Sequence, residues 1–186
     1  MAADALAADA RLAVADTFDA LVERSQKRVF RIVYALVRDA DIAATLTQDA
    51  FLRAYRAREG FRGEAASDTW LVSIALNVAR DHLKSRRQSF WRRLVRGADP
   101  ARVDDAGAHP SRPSAERALL AREDVARVFE TVRSLSPQQR EVFVLRFVDE
   151  MTIAEIAVAL QVTAGTVKAH LHRATSAVRE SMKETR

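Results

Sequence analysis

Thr166, Lys168, Ala169, His172 and Arg173 fall on one side of a helical repeat, and such short polar or basic groups near a helix start suit base edges and phosphates in a major groove. The competing reading is a helical hairpin whose outer face is merely solvated. Other chemistries find little material. The four histidines, His82, His109, His170 and His172, include no pair at the i, i+4 spacing of a helical zinc site, and there is no cysteine and no Gly-rich phosphate loop after a strand. No catalytic, metal or cofactor site is expected. Of the adjacent histidines, one of His170 and His172 should pack and the other face outward.

The elements that position this face are written locally. Thr152 with Glu155 forms a capping box, so a helix starts there and carries Ile153, Ile156, Ala157 and Leu160 inward. Gln161, Val162 and Thr163 make a turn, Thr163 caps the next helix, and Val167, Leu171, Ala174 and Val178 anchor it. Upstream, Ser136-Pro-Gln-Gln139 is another capping box with Pro at the first helical position, followed inward by Val142, Phe143, Leu145 and Val148.

The front of the chain repeats this logic. From Thr17 as a cap, Phe18, Leu21, Val22, Val29, Val33, Leu36 and Val37 make one stripe that ends before Asp39 and Asp41. A second helix from about Ile42 to Arg58 puts Thr45, Gln48, Asp49 and Leu52 on one side, with Leu46, Ala50, Phe51 and Ala54 packing. Ser67 is expected to cap a third, burying Trp70, Leu71, Ile74, Val78 and Leu83 and leaving Ser73, Asn77, Arg80, Asp81, Lys84 and Arg87 outside.

Composition agrees with an all-α chain. Few glycines, prolines and aromatics among 186 residues disfavour a β-rich fold, and 48% hydrophobic content suffices for a core. Net charge is +5, compatible with a polyanion partner or with ordinary solubility, and between Lys84 and Arg96 six basic residues occur with no acidic one. That run reads as phosphate contact, a basic linker or a solvated helix end. The Ala-rich start is broken by Asp4, Asp9, Arg11 and Asp16, unlike a signal peptide, and no apolar run approaches membrane-spanning length. A cytoplasmic protein without membrane insertion is expected. Periodicity lapses between Gly97 and Pro113, where Gly and Pro accumulate. The expected division is a tail at 1–16, a first domain at 17–96, a flexible linker at 97–113 and a second domain at 114–186, with the domains' relative placement left open.

Five strings in this order, Gln48-Asp-Ala-Phe-Leu-Arg-Ala-Tyr55, Phe61-Arg-Gly63, Trp70-Leu-Val-Ser-Ile-Ala-Leu-Asn77, Leu135-Ser-Pro-Gln-Gln-Arg-Glu-Val-Phe143 and Gly165-Thr-Val-Lys-Ala-His-Leu-His-Arg-Ala174, resemble the extracytoplasmic-function (ECF) group of bacterial sigma-70 factors. The likeness covers nearly all of Phe18 to Glu180. It implies two small helical domains, regions 2 and 4, in a non-enzymatic subunit that binds core RNA polymerase and promoter DNA. By resemblance, the helix after Thr163 reads the minus-35 element through Thr166, Lys168, Ala169, His172 and Arg173. The loop from Phe61 to Ala66, including Arg62 and Gly63, with Asn77, Arg80 and Lys84, serves the minus-10 element, where one extruded base is held. Asn77 offers both a donor and an acceptor, whereas Trp70 keeps a structural reading.

Core polymerase binding falls by resemblance on Thr45, Gln48, Asp49 and Leu52. Two departures stand out. Ala169 and His170 replace the usual Ser and Arg, so base preference does not carry over. In Ile42-Ala-Ala-Thr45-Leu-Thr-Gln48 the carboxylates typical before the Gln are missing and Thr45 takes the Asp position. This is similar to the subgroup activated by a Ser/Thr protein kinase, which implies phosphorylation of Thr45; an anti-sigma factor is the alternative control. The rival reading is a stand-alone helix-turn-helix regulator similar to a response-regulator output domain, against which stands the lack of an α/β receiver pattern before residue 90.

Overall fold

A computed structural model describes residues 2–61, 66–95, 125 and 127–183, and these are helical apart from short connections. The expected linker, Gly97 to Pro113, lies outside them, as do Arg62, Gly63 and His109. Helix α1 (Ala2–Val37) starts well before Thr17, because alanine-rich sequence favours continuation and nothing from Ala2 to Thr17 breaks the helix. It ends where Arg38 takes φ 58° and donates its N–H to the Tyr34 carbonyl at 2.8 Å. A left-handed arginine is unusual; here its guanidinium lies over the rings of Tyr34 and Phe129, at 5.3 and 4.0 Å.

Asp39 then caps α2 (Ala40–Ala57), its carboxylate accepting from the Ile42 N–H at 2.9 Å. The buried side of α2 is Ala43, Leu46, Thr47, Ala50 and Ala54, a stripe at 3.6-residue spacing whose small side chains admit close helix approach. The buried Thr47 hydroxyl is satisfied by donating to the Ala43 carbonyl at 2.7 Å. After the 3-10 turn Arg58–Gly60, α3 (Ser67–Val95) begins one residue earlier than expected. The Trp70 N–H donates to the Ala66 carbonyl, so Ala66 is the capping residue, while the Ser67 hydroxyl accepts from Arg24 at 3.0 Å. The basic run from Lys84 continues this helix as far as Val95.

The rear half comprises the helical residues 127–134 (α4), α5 (Pro137–Phe147), α6 (Ile153–Leu160) and α7 (Ala164–Lys183). Both expected capping boxes form, at Ser136 with Gln139 and at Thr152 with Glu155. Met151 donates its N–H back to the Leu145 carbonyl at 3.0 Å through a loop in which Glu150 has φ 59°, closing the end of α5.

The two halves pack directly on each other. One apolar cluster runs from Val29, Ile32 and Leu36 of α1 through Leu71 and Leu76 of α3 to Val142, Leu145, Met151, Ile156, Ala159 and Val167 of the rear half. Helix α3 packs on α1, α2 and α6, so its buried face is wider than the expected stripe and adds Val72, Ala75, Leu76 and Ala79. A smaller cluster of Val132, Leu135 and Ala174 joins α4 to α7.

Ile156 is 0% exposed and Val158, two residues on, 52%. Ile156→Ala should therefore cost roughly 2–5 kcal/mol, and Val158→Ala less than about 0.5 kcal/mol, in urea unfolding followed by circular dichroism.

Candidate nucleic-acid interface

Helix α7 is held from both ends of its first turn. The Thr163 hydroxyl accepts the Thr166 N–H at 3.2 Å and lies 2.9 Å from the Thr166 hydroxyl, and α6 ends on Gln161 in the left-handed region, φ 56°, which sets the turn. Val167 and Ala174 are buried and Leu171 and Val178 half-buried, so the opposite side is presented outward. On it Lys168, Ala169, His172 and Arg173 are exposed and Thr166 half-exposed. His170 is half-buried and His172 exposed, the division expected of the two.

The front half presents another polar face along α2. Thr45, Gln48 and Leu52 are exposed and Asp49 half-buried. The Thr45 hydroxyl donates to the Asp41 carbonyl at 2.9 Å. Asp49 pairs with Arg53 at 3.0 Å, and Arg53 also reaches Asp81 at 3.2 Å. These carboxylates, Asp49 first, raise the Arg53 pKa. Asp41 and Asp49 sit one turn either side of Thr45, so the face is more acidic than the string before Gln48 implies. Beside it an apolar groove of about 880 Å³ runs between α1 and α2, lined by Phe18, Val22, Phe30, Phe51, Leu52 and Tyr55 among others.

Phe61, Asn77, Arg80 and Lys84 have unequal surroundings. Phe61 is half-buried with its ring 4.9 Å from that of Trp70, consistent with a structural Trp70. Asn77 and Lys84 are exposed. Arg80 departs from the expected free outer face. Its Nε and Nη2 donate to Glu141 Oε1 and Oε2 at 2.6 and 2.8 Å, and its Nη1 donates to Asn77 Oδ1 at 3.0 Å. The hydrogen bond to Glu141 raises the Arg80 pKa against the opposing pull of burial.

The residues that escaped sequence reasoning are the carboxylates across the contact. The Glu141 side chain is 6% exposed, and that of Asp149, 1% exposed, meets Arg28 at 2.7 Å and Arg31 at 3.3 Å. Glu141 does leave a trace in the sequence, standing four residues before Leu145 on an inward stripe, where a carboxylate demands a cation. The sequence does not say which. Among the described residues there is no group of three or more His, Cys, Asp or Glu able to hold a metal ion, and no helix long and apolar enough to cross a membrane.

Residues 21–89 match the profile of Sigma-70 region 2, and residues 126–177 that of Sigma-70, region 4. The RNA polymerase sigma-H factor of Pseudomonas aeruginosa is 33% identical over 165 residues, spanning 89% of this chain and 86% of its own length. The ECF RNA polymerase sigma-E factor of Escherichia coli K12 is 32% identical over 161 residues, with 87% and 84% covered. In fold, the chain resembles the sigma factor RpoE of Bartonella quintana, solved with the anti-sigma factor NepR, at a TM-score of 0.68 and 20% identity, covering 91% of this chain and 99% of that one.

Because the Thr163 hydroxyl meets an otherwise orphan N–H, Thr163→Ala should lower stability by about 1 kcal/mol and Thr163→Ser should restore most of it, measured as urea midpoints.

Proposed function

This chain belongs to the ECF group of the sigma-70 family of RNA polymerase sigma factors, and from that premise we propose how its surfaces divide the work of transcription initiation. It acts by binding in the cytoplasm, with no catalytic step and no cofactor. The division is a first domain at 17–96 and a second at 114–186.

The observation that carries the reading is the two-sided α7: Val167 and Ala174 are buried while Lys168, Ala169, His172 and Arg173 of the same helix face solvent behind a capped N-terminus. Lys168 and Arg173 contact phosphates of the minus-35 element, and Thr166, Ala169 and His172 meet base edges. In the first domain Phe61, Arg62 and Gly63, with Asn77, Arg80 and Lys84, serve the minus-10 element. Asn77 Oδ1 is already an acceptor for Arg80, so its amide hydrogens remain to donate to an extruded base. The face of Thr45, Gln48, Asp49 and Leu52, with the apolar groove beside it, takes core RNA polymerase. The helical front half, matched to Sigma-70 region 2, disfavours the stand-alone regulator similar to a response-regulator output domain.

Docking is switched by a Ser/Thr protein kinase acting on Thr45. In support, Thr45 is exposed and, by the resemblance drawn from the sequence, takes the position of the family's Asp. A phosphoryl group would add roughly 1.5–2 negative charges and three acceptor oxygens to that face. An anti-sigma partner is the second reading, favoured by the likeness to RpoE, which was solved in such a complex.

Reconstituted initiation with core polymerase tests both levels. Kinase-treated protein and Thr45→Asp should bind core and initiate more strongly than Thr45→Ala; equal activity of Thr45→Ala removes the kinase switch, and no initiation by any form removes the assignment of surfaces. Independently, Lys168→Ala should weaken minus-35 duplex binding uniformly across sequences and reduce the slope of log K against log salt by about 1.

A further inference from the structure

We propose that the ion pairs between the halves form a clasp that keeps the free protein closed, and that nucleic-acid phosphate opens it by competing for Arg80. The inference rests on the placement of Arg80 in the minus-10 face.

The ion pairs of Arg28, Arg31 and Arg80 across the clasp have the same sense. Arginines of the front half donate, and carboxylates of the rear half accept. Arg80 of α3 meets Glu141 of α5 edge to edge, through Nε and Nη2. Arg28 of α1 meets Asp149, in the loop after α5, with Nε 2.9 Å from each carboxylate oxygen and Nη2 2.7 Å from one of them. Arg31 adds a contact at 3.3 Å. At the end of α1, Arg38 lies on the Phe129 ring of α4.

A guanidinium edge that holds a carboxylate in two parallel hydrogen bonds holds a phosphate by the same geometry, so Glu141 and a phosphate exclude each other at Nε and Nη2 of Arg80. Its remaining Nη1 is already given to Asn77. The closed form therefore masks Arg80 while leaving the outward face of α7 exposed. Separation of the halves frees Arg80, Arg28 and Arg31 together and returns both carboxylates to water. Closure and engagement of nucleic acid by α3 are then linked reciprocally: whatever stabilises one opposes the other by the same factor.

The chain has no cysteine, so a spin-label pair at Glu23→Cys and Glu180→Cys, both exposed in α1 and α7, reports the distance between the halves in the full-length protein. The free protein should show one short-distance population, and a single-stranded DNA oligonucleotide should convert it to a longer one. Glu141→Gln and Asp149→Asn should each lengthen the distance without DNA and tighten oligonucleotide binding about fivefold or more. Retained far-UV helicity certifies that each variant is folded. Asp149→Asn is the decisive arm, because it leaves the Arg80 pair intact: a gain confined to Glu141→Gln would mean simple unmasking of one arginine and would overturn the clasp. So would a wild-type protein already open without DNA, or variants as closed as wild type. Failure of initiation in reconstituted transcription, with these distance changes intact, would sink the assignment of surfaces and leave the clasp standing.

Discussion

A carboxylate taken out of water must be met by a cation or neutralised, and the way the halves of this protein meet follows from that requirement at Glu141 and Asp149. Both side chains are almost wholly shielded. Removing a carboxylate from water costs several kcal/mol, which only close, well-directed partners offset. Arg80 and Arg28 supply that geometry edge to edge. A shift of the rear half by a few ångströms would lose these bonds, because hydrogen bonds are directional and short-ranged while apolar burial is not directional. The ion pairs therefore fix the register of the halves more than they add to its strength.

The attraction itself comes from the apolar cluster that passes from α1 and α3 into α5, α6 and α7. Covalent tethering lowers what that cluster must supply. With an effective concentration of about 1 mM between linked domains, contact worth about 4 kcal/mol at the 1 M standard state already closes half of the molecules. Because association must also offset about 4–15 kcal/mol of lost freedom, the gross apolar burial has to exceed that net figure. A balance of this kind is easily tipped, because a competitor for one arginine withdraws the compensation for a buried charge and not merely one hydrogen bond.

What was legible in the sequence was what is local. The caps at Ser136, Thr152 and Thr163 join residues three apart, so the residue types alone specify them. The stripes of α2 and α7 are likewise repeats of a single helix. The start of α3 slipped by one residue because a backbone carbonyl, that of Ala66, closes the first turn, and no side chain advertises it. Arg80 read as an outer residue because its partner stands 61 positions away on a helix of the other half. Val72 and Ala79 were missed for the same reason: α3 is covered on more than one side, and a pattern reading assumes one. The left-handed Arg38 has no local signature either, since its guanidinium is held by Phe129 across the contact.

The face of α2 carries a tension that bears on its regulation. Asp41 and Asp49 lie one turn before and after Thr45, where side chains on a helix come within about 5–6 Å. At such a distance each like-charge pair costs roughly 0.7 kcal/mol in water, so a doubly charged phosphoryl group between two carboxylates would be opposed by about 2–3 kcal/mol before screening by salt. Arg53, which bridges Asp49 and Asp81, offsets part of the share due to Asp49. A modified α2 would thus be strained electrostatically when alone and relaxed against a basic surface. The repulsion inside the helix becomes part of the drive toward a cationic partner, which is how a residue with no buried contact of its own could govern docking.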